Sequence, residues 1–419
     1  MGTDAKQAFP LHKTLASIQS PQDVCPALFH NRLTTAPIAM DSTESLQFSL
    51  CMQLNQLDAA GWDTLSGHHL LVSHAFLTSL HESGCVTPQT GWSPHYLLMH
   101  RGATLCGAVP LYLKHHSRGE YVFDQGWAQA YQRHGLDYYP KLLCSVPFTP
   151  VSGPRLLAGT PEDRVLLARQ LIELTRSNQL SSVHVLFPHA DDRWALEQAG
   201  FMMRQDVQFH WQNRDYASYE DFLASLTQQK RKKMRQDSRK VYEQGLSFEH
   251  KQGLEISERD LDFFYRCYAN TYQERGQHPY LNRDFFARLR DQIPESLVLI
   301  LARQQGAYIA CALSLRDKDT LYGRYWGCTA YVPGLHFETC YTQAIQFCIA
   351  QQLRFFEGGA QGEHKLSRGL LPTPTCSAHW IADPRFAQAI DAFLHEEAGH
   401  VARYEEVLSQ HTPFKTRVD

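Results

Sequence analysis

The chain has 419 residues, 43% hydrophobic and 20% charged, which is enough for two or three domains with separate cores. A net charge of −3 gives no global case for nucleic acid or an anionic membrane, and no run approaches the ~18 apolar residues of a membrane-spanning helix. The 11 cysteines form no C-x-x-C pair, which argues against a zinc ribbon or a disulfide framework and suits a reducing cytoplasm.

Residues 1–44 mix Pro, Ser, Thr and Gln without periodicity and read as a disordered leader that lacks the apolar core of a signal peptide. From Leu46 the residues Leu46, Phe48, Leu50 and Met52 alternate as in a half-buried strand. Helices are expected over 59–65 and, capped by Ser73, over 74–82. A hairpin follows, with strands over 96–100 and 104–113 around Arg101-Gly102. Residues 131–154 are rich in Tyr, Pro and Gly and read as loop with short extended pieces. A helix from Pro161 to Ser177, a buried strand over 183–187, a short helix over 191–199 and a strand over 206–211 complete this part.

The rest repeats the same grammar. One long helix is expected over 219–243, then helices over 258–275 and 284–291, then strands over 297–302 and 308–315. TLCGAVPLYL at 104–113 and AYIACALSLR at 307–316 both follow a glycine-containing turn. Each is later followed by a helix, a short buried strand and another helix. The expected fold is therefore α+β with an internal duplication, its units at 45–210 and 211–385, and a C-terminal helix and tail over 386–419. Each unit is expected to hold a mixed, mainly antiparallel sheet with flanking helices.

Three segments carry candidate chemistry. Lys230 to Lys240 holds seven basic residues and one acidic, +6 over 11 positions, inside the predicted long helix. Arg231, Lys232, Arg235 and Arg239 are its candidate phosphate contacts, with RNA, a nucleotide diphosphate or a lipid-linked precursor as partner. The strand LYGRYWG at 321–327 places Arg324 among aromatics, where it can bind a carboxylate or phosphate through two hydrogen bonds. The loop and helix after it hold His336, Glu338 and Tyr341 as acid/base candidates. This is the strand-loop-helix in which acyl-CoA N-acyltransferases carry Q/R-x-x-G-x-G/A. Here the loop has only Gly334, so that signature is absent.

The third segment is FFEGGAQGEHKLSRGLLPTPTCSAHW at 355–380. Gly358, Gly359 and Gly362 allow a tight turn and close approach of backbone to a ligand. Glu363 or His364 is the first choice of general base, and Glu338 the second. Arg324, Lys365 and Arg368 are expected to hold phosphate or carboxylate, and backbone N–H groups near the glycines to stabilise an oxyanion. No metal-ligand spacing, serine elbow or phosphate-loop motif is present.

The segments SHAFLTSLHESG, GEYVFDQGWAQAY, YYPKLLCSVPFTPVSGPRLL, RKKMRQDSRKV, LYGRYWGC and GGAQGEHKLSRGLLPTPTCSAHWIADPRF together resemble the FemAB-like (peptidoglycan biosynthesis/recognition) family of N-acyltransferases. The resemblance runs from Leu46 to about Pro413. It implies tandem N-acetyltransferase-type domains and transfer of an acyl or aminoacyl group to an amine. The donor it implies is acyl-CoA or aminoacyl-tRNA as co-substrate, with no tightly bound cofactor; tRNA would bind through the basic helix. The implied acceptor is a small-molecule or peptide amine of a cell-wall precursor. Tyr322, Gln361, His379 and Trp380 join the expected substrate contacts through these motifs. The rival expectation is a non-catalytic protein of the same fold that recognises peptidoglycan fragments or RNA.

Overall fold

The computed structural model describes residues 46–415 except Gln361. The expected leader at 1–44 and the substrate contact assigned to Gln361 lie outside the described residues. The first half runs β1 (Leu46–Cys51), α1 (Ala59–Leu65), α2 (His74–Glu82), β2 (Trp92–Pro94), β3 (Tyr96–Arg101), β4 (Thr104–Val109), β5 (Leu111–Lys114), α3 (Gln125–Arg133), β6 (Lys141–Cys144), β7 (Leu157–Ala158), α4 (Pro161–Ser177), β8 (Ser182–Leu186), α5 (Ala190–Ala199) and β9 (Met202–Gln212). The second half runs α6 (Tyr219–Ser225), α7 (Gln228–Tyr242), β10 (Leu246–Gln252), α8 (Glu258–Gln273), α9 (Arg283–Gln292), β11 (Leu297–Gln304), β12 (Ala307–Arg316), β13 (Thr320–Cys328), α10 (Leu335–Phe337), α11 (Gln343–Ala350), β14 (Phe355–Glu357), β15 (Leu371–Ile381) and α12 (Pro384–Gln410). Helix starts follow cap chemistry: the side chains of Ser73, Thr160, Ser218, Ser257 and Asn282 each accept a first-turn N–H.

Eleven strands form one mixed sheet in the order β10-β11-β12-β13-β14-β9-β15-β8-β6-β5-β2, and β1-β3-β4-β7 form a second sheet. The centre of the large sheet is an exchange. β9 ends the first half and pairs antiparallel with β14 and β15; β15 ends the second half and pairs antiparallel with β8. Outward from the β9–β15 pair, both directions show one sequence of relations. An antiparallel neighbour (β14 or β8) comes first, then a strand parallel to it (β13 or β6), then an antiparallel one (β12 or β5). Each parallel step is bridged by helix, α10 and α11 in one half and α4 in the other, as parallel pairs require. The boundary expected at 210/211 falls inside β9.

Several elements differ from their sequence expectation for identifiable reasons. Pro110 separates β4 from β5, so the single strand expected over 104–113 is divided between the two sheets. The single helix expected over 219–243 is two. Leu226 is extended and buried, it bridges Phe414, and the Thr227 N–H donates to Pro413 O at 2.9 Å. The C-terminal segment thus takes backbone groups that a continuous helix would have paired. β15 forms despite Pro372 and Pro374, because β8 joins it only from Ser377. Pro372 and Pro374 lie before that pairing begins, where a missing N–H removes no bond to β8. One hydrophobic cluster spans both halves, from Trp62, Phe76 and Tyr96 to Phe264, Phe285 and Leu299.

Candidate functional site

β13 and β14 pair only over Thr320–Tyr322 and Phe355–Glu357, and then part. Two features drive this. A β-bulge lies where Leu313 faces Tyr325 and Ser314 faces Gly323, so Arg324 is the extra residue on β13. Bulges re-aim side chains and cluster beside active sites. Beyond Glu357 the chain turns away through Gly358 and Gly359, whose φ is +85°. A Cβ on Gly358 would lie 2.6 Å from Leu370, and one on Gly323 would lie 3.0 Å from the Phe356 ring. A side chain at either place would force Phe356 or Leu370 to shift.

Arg324 and Glu357 flank the parting point. One Arg324 Nη2 donates to Phe148 O at 2.7 Å, while its buried Nε has no partner. Glu357 is largely buried and its Oε2 has no hydrogen-bond partner. Burial pushes the Glu357 carboxyl up to about 8; Arg324 opposes this and Asp317 adds to it. His210 stands across the strand pair, its Nε2 3.9 Å from Glu357 Oε2. Burial, with Lys365 adding, holds the His210 imidazole down at about 4, so it is neutral at ordinary pH. Tyr322 is buried and donates to Asp317 Oδ2 at 2.7 Å, which fixes the turn before β13.

The glycine-rich segment leads into a 3-10 helix over Glu363–Arg368. Lys365 points inward: it is 2% exposed, its Nζ donates to Gly359 O at 2.7 Å, and burial lowers its amine to about 8. Arg368 is buried over the Phe337 ring and pairs with Asp237 of α7 at 2.9 Å. His364 is exposed and meets the Tyr341 hydroxyl at 3.1 Å. Gly362 has φ +121°, and a Cβ there would strike the His364 ring at 2.4 Å.

The structure thus places Tyr322, Arg324, Gly358 and Gly359 about the parting of β13 and β14, ties Lys365 to it through Gly359, and sets Gly362, His364 and Arg368 in the segment that follows. The three expected bases lie elsewhere. Glu363 is exposed and accepts from Tyr404 of α12 at 2.8 Å. Glu338 is buried in a π-helical turn between α10 and α11, where Ser238 and Gln343 donate to it at 2.6 and 2.9 Å. His364 meets Tyr341, as above. His379 and Trp380 are also away from the strand parting. His379 is 1% exposed and meets His184 at 2.7 Å, and Trp380 lies under the Arg176 guanidinium. Their motif marks the β15–β8 junction instead.

α7 packs its Met234 and Val241 inward and turns its cations outward. Gln228, Arg231, Lys232, Arg235, Gln236 and Arg239 line a groove of about 590 Å³ on one helix face. Arg235 is paired with Glu220 and Arg239 with Glu243. A second groove, about 480 Å³, separates Asp237, Lys240 and Gln244 of α7 from Pro333 and Gly334, in the loop that lacks the acyl-CoA signature. Two residues at the strand parting, partners in the β9–β14 ladder, escaped the sequence reading. Glu357 had a signal, an acid ending an apolar strand before two glycines. His210 had none, because only the strand exchange brings it there.

Among the described residues no helix is long and apolar enough to cross a membrane, and no three His, Cys, Asp or Glu side chains are placed to hold a metal ion. Residues 53–416 match the FemAB-like family, described as peptidoglycan biosynthesis/recognition. No curated protein matches the chain in sequence. Among solved structures, FemX superposes with a TM-score of 0.50 at 11% identity, over 80% of this chain and 98% of that one. L-PGS from Bacillus licheniformis superposes with a TM-score of 0.51 at 9% identity, over 80% of this chain and 96% of that one. At such identity these likenesses speak for the fold.

Proposed function

Since the chain belongs to the FemAB-like family, we propose that it is a transferase that moves an acyl or aminoacyl group to an amine. The two halves are read as tandem copies of one N-acetyltransferase-type unit, interlocked through β9 and β15. The observation that carries the reading is the pair of unpartnered groups at the strand parting, Arg324 Nε and Glu357 Oε2. One is a donor and the other an acceptor. Together they suit a reaction that needs both, polarising a carbonyl and accepting a proton from an amine.

In the proposed step the acceptor amine attacks the donor's carbonyl carbon and forms the new N–C bond. Glu357 takes the amine proton. Arg324 Nε and backbone N–H groups near Gly358 and Gly359 meet the negative oxygen of the tetrahedral intermediate. Its collapse breaks the ester or thioester bond, and the ribose hydroxyl or thiol leaves with the proton that Glu357 took from the amine. Lys365, beside Gly359, adds positive charge at the same place. The donor is aminoacyl-tRNA or acyl-CoA as co-substrate; the acceptor is a small-molecule or peptide amine of a cell-wall precursor, reached from the cytoplasm. The α7 groove suits the donor's phosphates, because its cations share one face and Asp237 of the same helix ties it to Arg368.

The test is single-turnover transfer from acetyl-CoA and from aminoacyl-tRNA to an amino-terminated muropeptide. Glu357→Gln is expected to slow transfer by roughly 10²–10⁴-fold with an unchanged melting temperature. Glu363→Gln is expected to transfer at the wild-type rate. Normal transfer by the Glu357 variant would remove that residue from the mechanism.

A further inference from the structure

We propose that His210, carried by the last strand of the first half, is the positioning residue for Glu357, so that the proton acceptor is assembled from both halves; this rests on reading Glu357 as the base. His210 and Glu357 are direct Cα partners in the β9–β14 ladder. Partners opposite one another project to the same face of a sheet. The carboxylate oxygen nearest the imidazole, Oε2, is buried and has no hydrogen-bond partner.

The ring is itself fixed from the first half. His210 Nε2 lies 3.4 Å from Gln208 Oε1, and Gln208 Nε2 donates to Pro150 O at 3.0 Å. Pro150 follows Phe148, whose carbonyl holds Arg324. One buried stretch of the first half therefore sets both Arg324 and, through Gln208, the imidazole beside Glu357.

The surrounding charges fix what the imidazole can do. Glu357 meets Arg324 from β13, Asp317 from the turn before β13, and Tyr322, whose phenol is bound to Asp317. His210 meets Lys365 from the 3-10 helix, and together with burial this keeps the ring uncharged. The single hydrogen on Nε2 of the neutral ring faces Gln208 Oε1 in this structure and turns to Glu357 when that group is a carboxylate; it offers little to a carboxylic acid. The 3.9 Å separation exceeds a hydrogen bond. It closes to one when Glu357 ionises, which stabilises the form that accepts the amine proton.

The experiment titrates the Glu357 carboxyl directly, by ¹³C NMR of glutamate-labelled protein, with Glu357→Gln assigning the resonance. No substrate is required. His210→Leu removes the donor and is expected to raise the titration midpoint by about one pH unit, a tenfold lower carboxylate fraction at pH values below the midpoint. His210→Gln keeps a donor of similar reach and is expected to restore it. His210→Asn, polar but shorter, is expected to shift it as Leu does and serves if the Leu variant does not fold. An unmoved midpoint in a folded Leu or Asn variant overturns the proposal. Full transfer activity in Glu357→Gln removes the base reading while leaving the titration result intact, so the two failures are distinguishable.

Discussion

His184 and His379 face each other with Nδ1 atoms 2.7 Å apart, and Tyr138, Ser182 and Ser377 occupy the outer nitrogens. Tyr138 passes the chain on to Asp124, which pairs with buried Lys141, itself bound to Glu120. Burial, with Lys141 adding, drives the His184 imidazole down to about 3. Burial likewise holds His379 well below its ordinary value. Between about pH 6.5 and those values the unfolded chain binds protons that the folded chain refuses, so stability rises with pH there. The contribution is complete above 6.5 and is lost as pH falls. Every tenfold change in proton affinity corresponds to about 1.4 kcal/mol, so His184 alone is expected to remove about 2–3 kcal/mol between pH 6.5 and 4.5. Thermal unfolding across this range should show a steep fall in Tm. His184→Asn should lower Tm at pH 7 and flatten that fall, and an equally steep fall in the variant would assign the acid sensitivity elsewhere.

β13 shows how much of an element its sequence reveals. The glycine pair after Glu357 was legible as a tight turn, and the chain turns away from β13 there; Gly323, which precedes Arg324 in LYGRYWGC, was not read that way. Gly327 had a different purpose. A Cβ on it would lie 2.2 Å from the Cys267 carbonyl oxygen of α8, so the strand–helix contact is backbone on backbone. Gly327→Ala is therefore expected to cost at least about 1–3 kcal/mol and to lower Tm by several degrees. Gly399→Ala, in the interior of α12 with only the flexible end of Arg403 nearby at 3.7 Å, is expected to stabilise by up to about 1 kcal/mol. Equal effects of the two substitutions would contradict the packing described. What stayed hidden in sequence is tertiary in origin. Nothing in the local pattern at 226–227 announces that Phe414 will pair there and break a helix. The prolines of β15 argue against a strand until one sees that they lie before its pairing with β8 begins. Glu363 and His364 have the chemistry of a site, yet the turn that buries Lys365 leaves both exposed.

The exchange of β9 and β15 makes a claim about the whole chain. In a tandem pair of self-contained domains, each sheet would close within its own half and the halves would melt separately. Here β9 is paired on both edges by strands of the second half, and β15 joins β9 to β8. Unfolding either half alone would strip the other's central strand of its partners and open the hydrophobic cluster shared by Trp62, Phe76, Phe264 and Phe285. Both losses cost several kcal/mol each, because buried backbone groups and large apolar side chains would meet no compensating partner. The halves are therefore expected to unfold in one transition. Fluorescence of single-tryptophan variants that retain Trp92 on β2 or Trp326 on β13, at the two sides of the sheet, would test this. The two midpoints should coincide in urea, and a destabilising change near one reporter, such as Gly327→Ala beside Trp326, should move both together. Separate midpoints, or movement of one alone, would mean that the exchanged strands do not couple the halves. The same coupling explains why a residue of the first half, His210, stands within reach of a carboxyl at the end of a second-half strand.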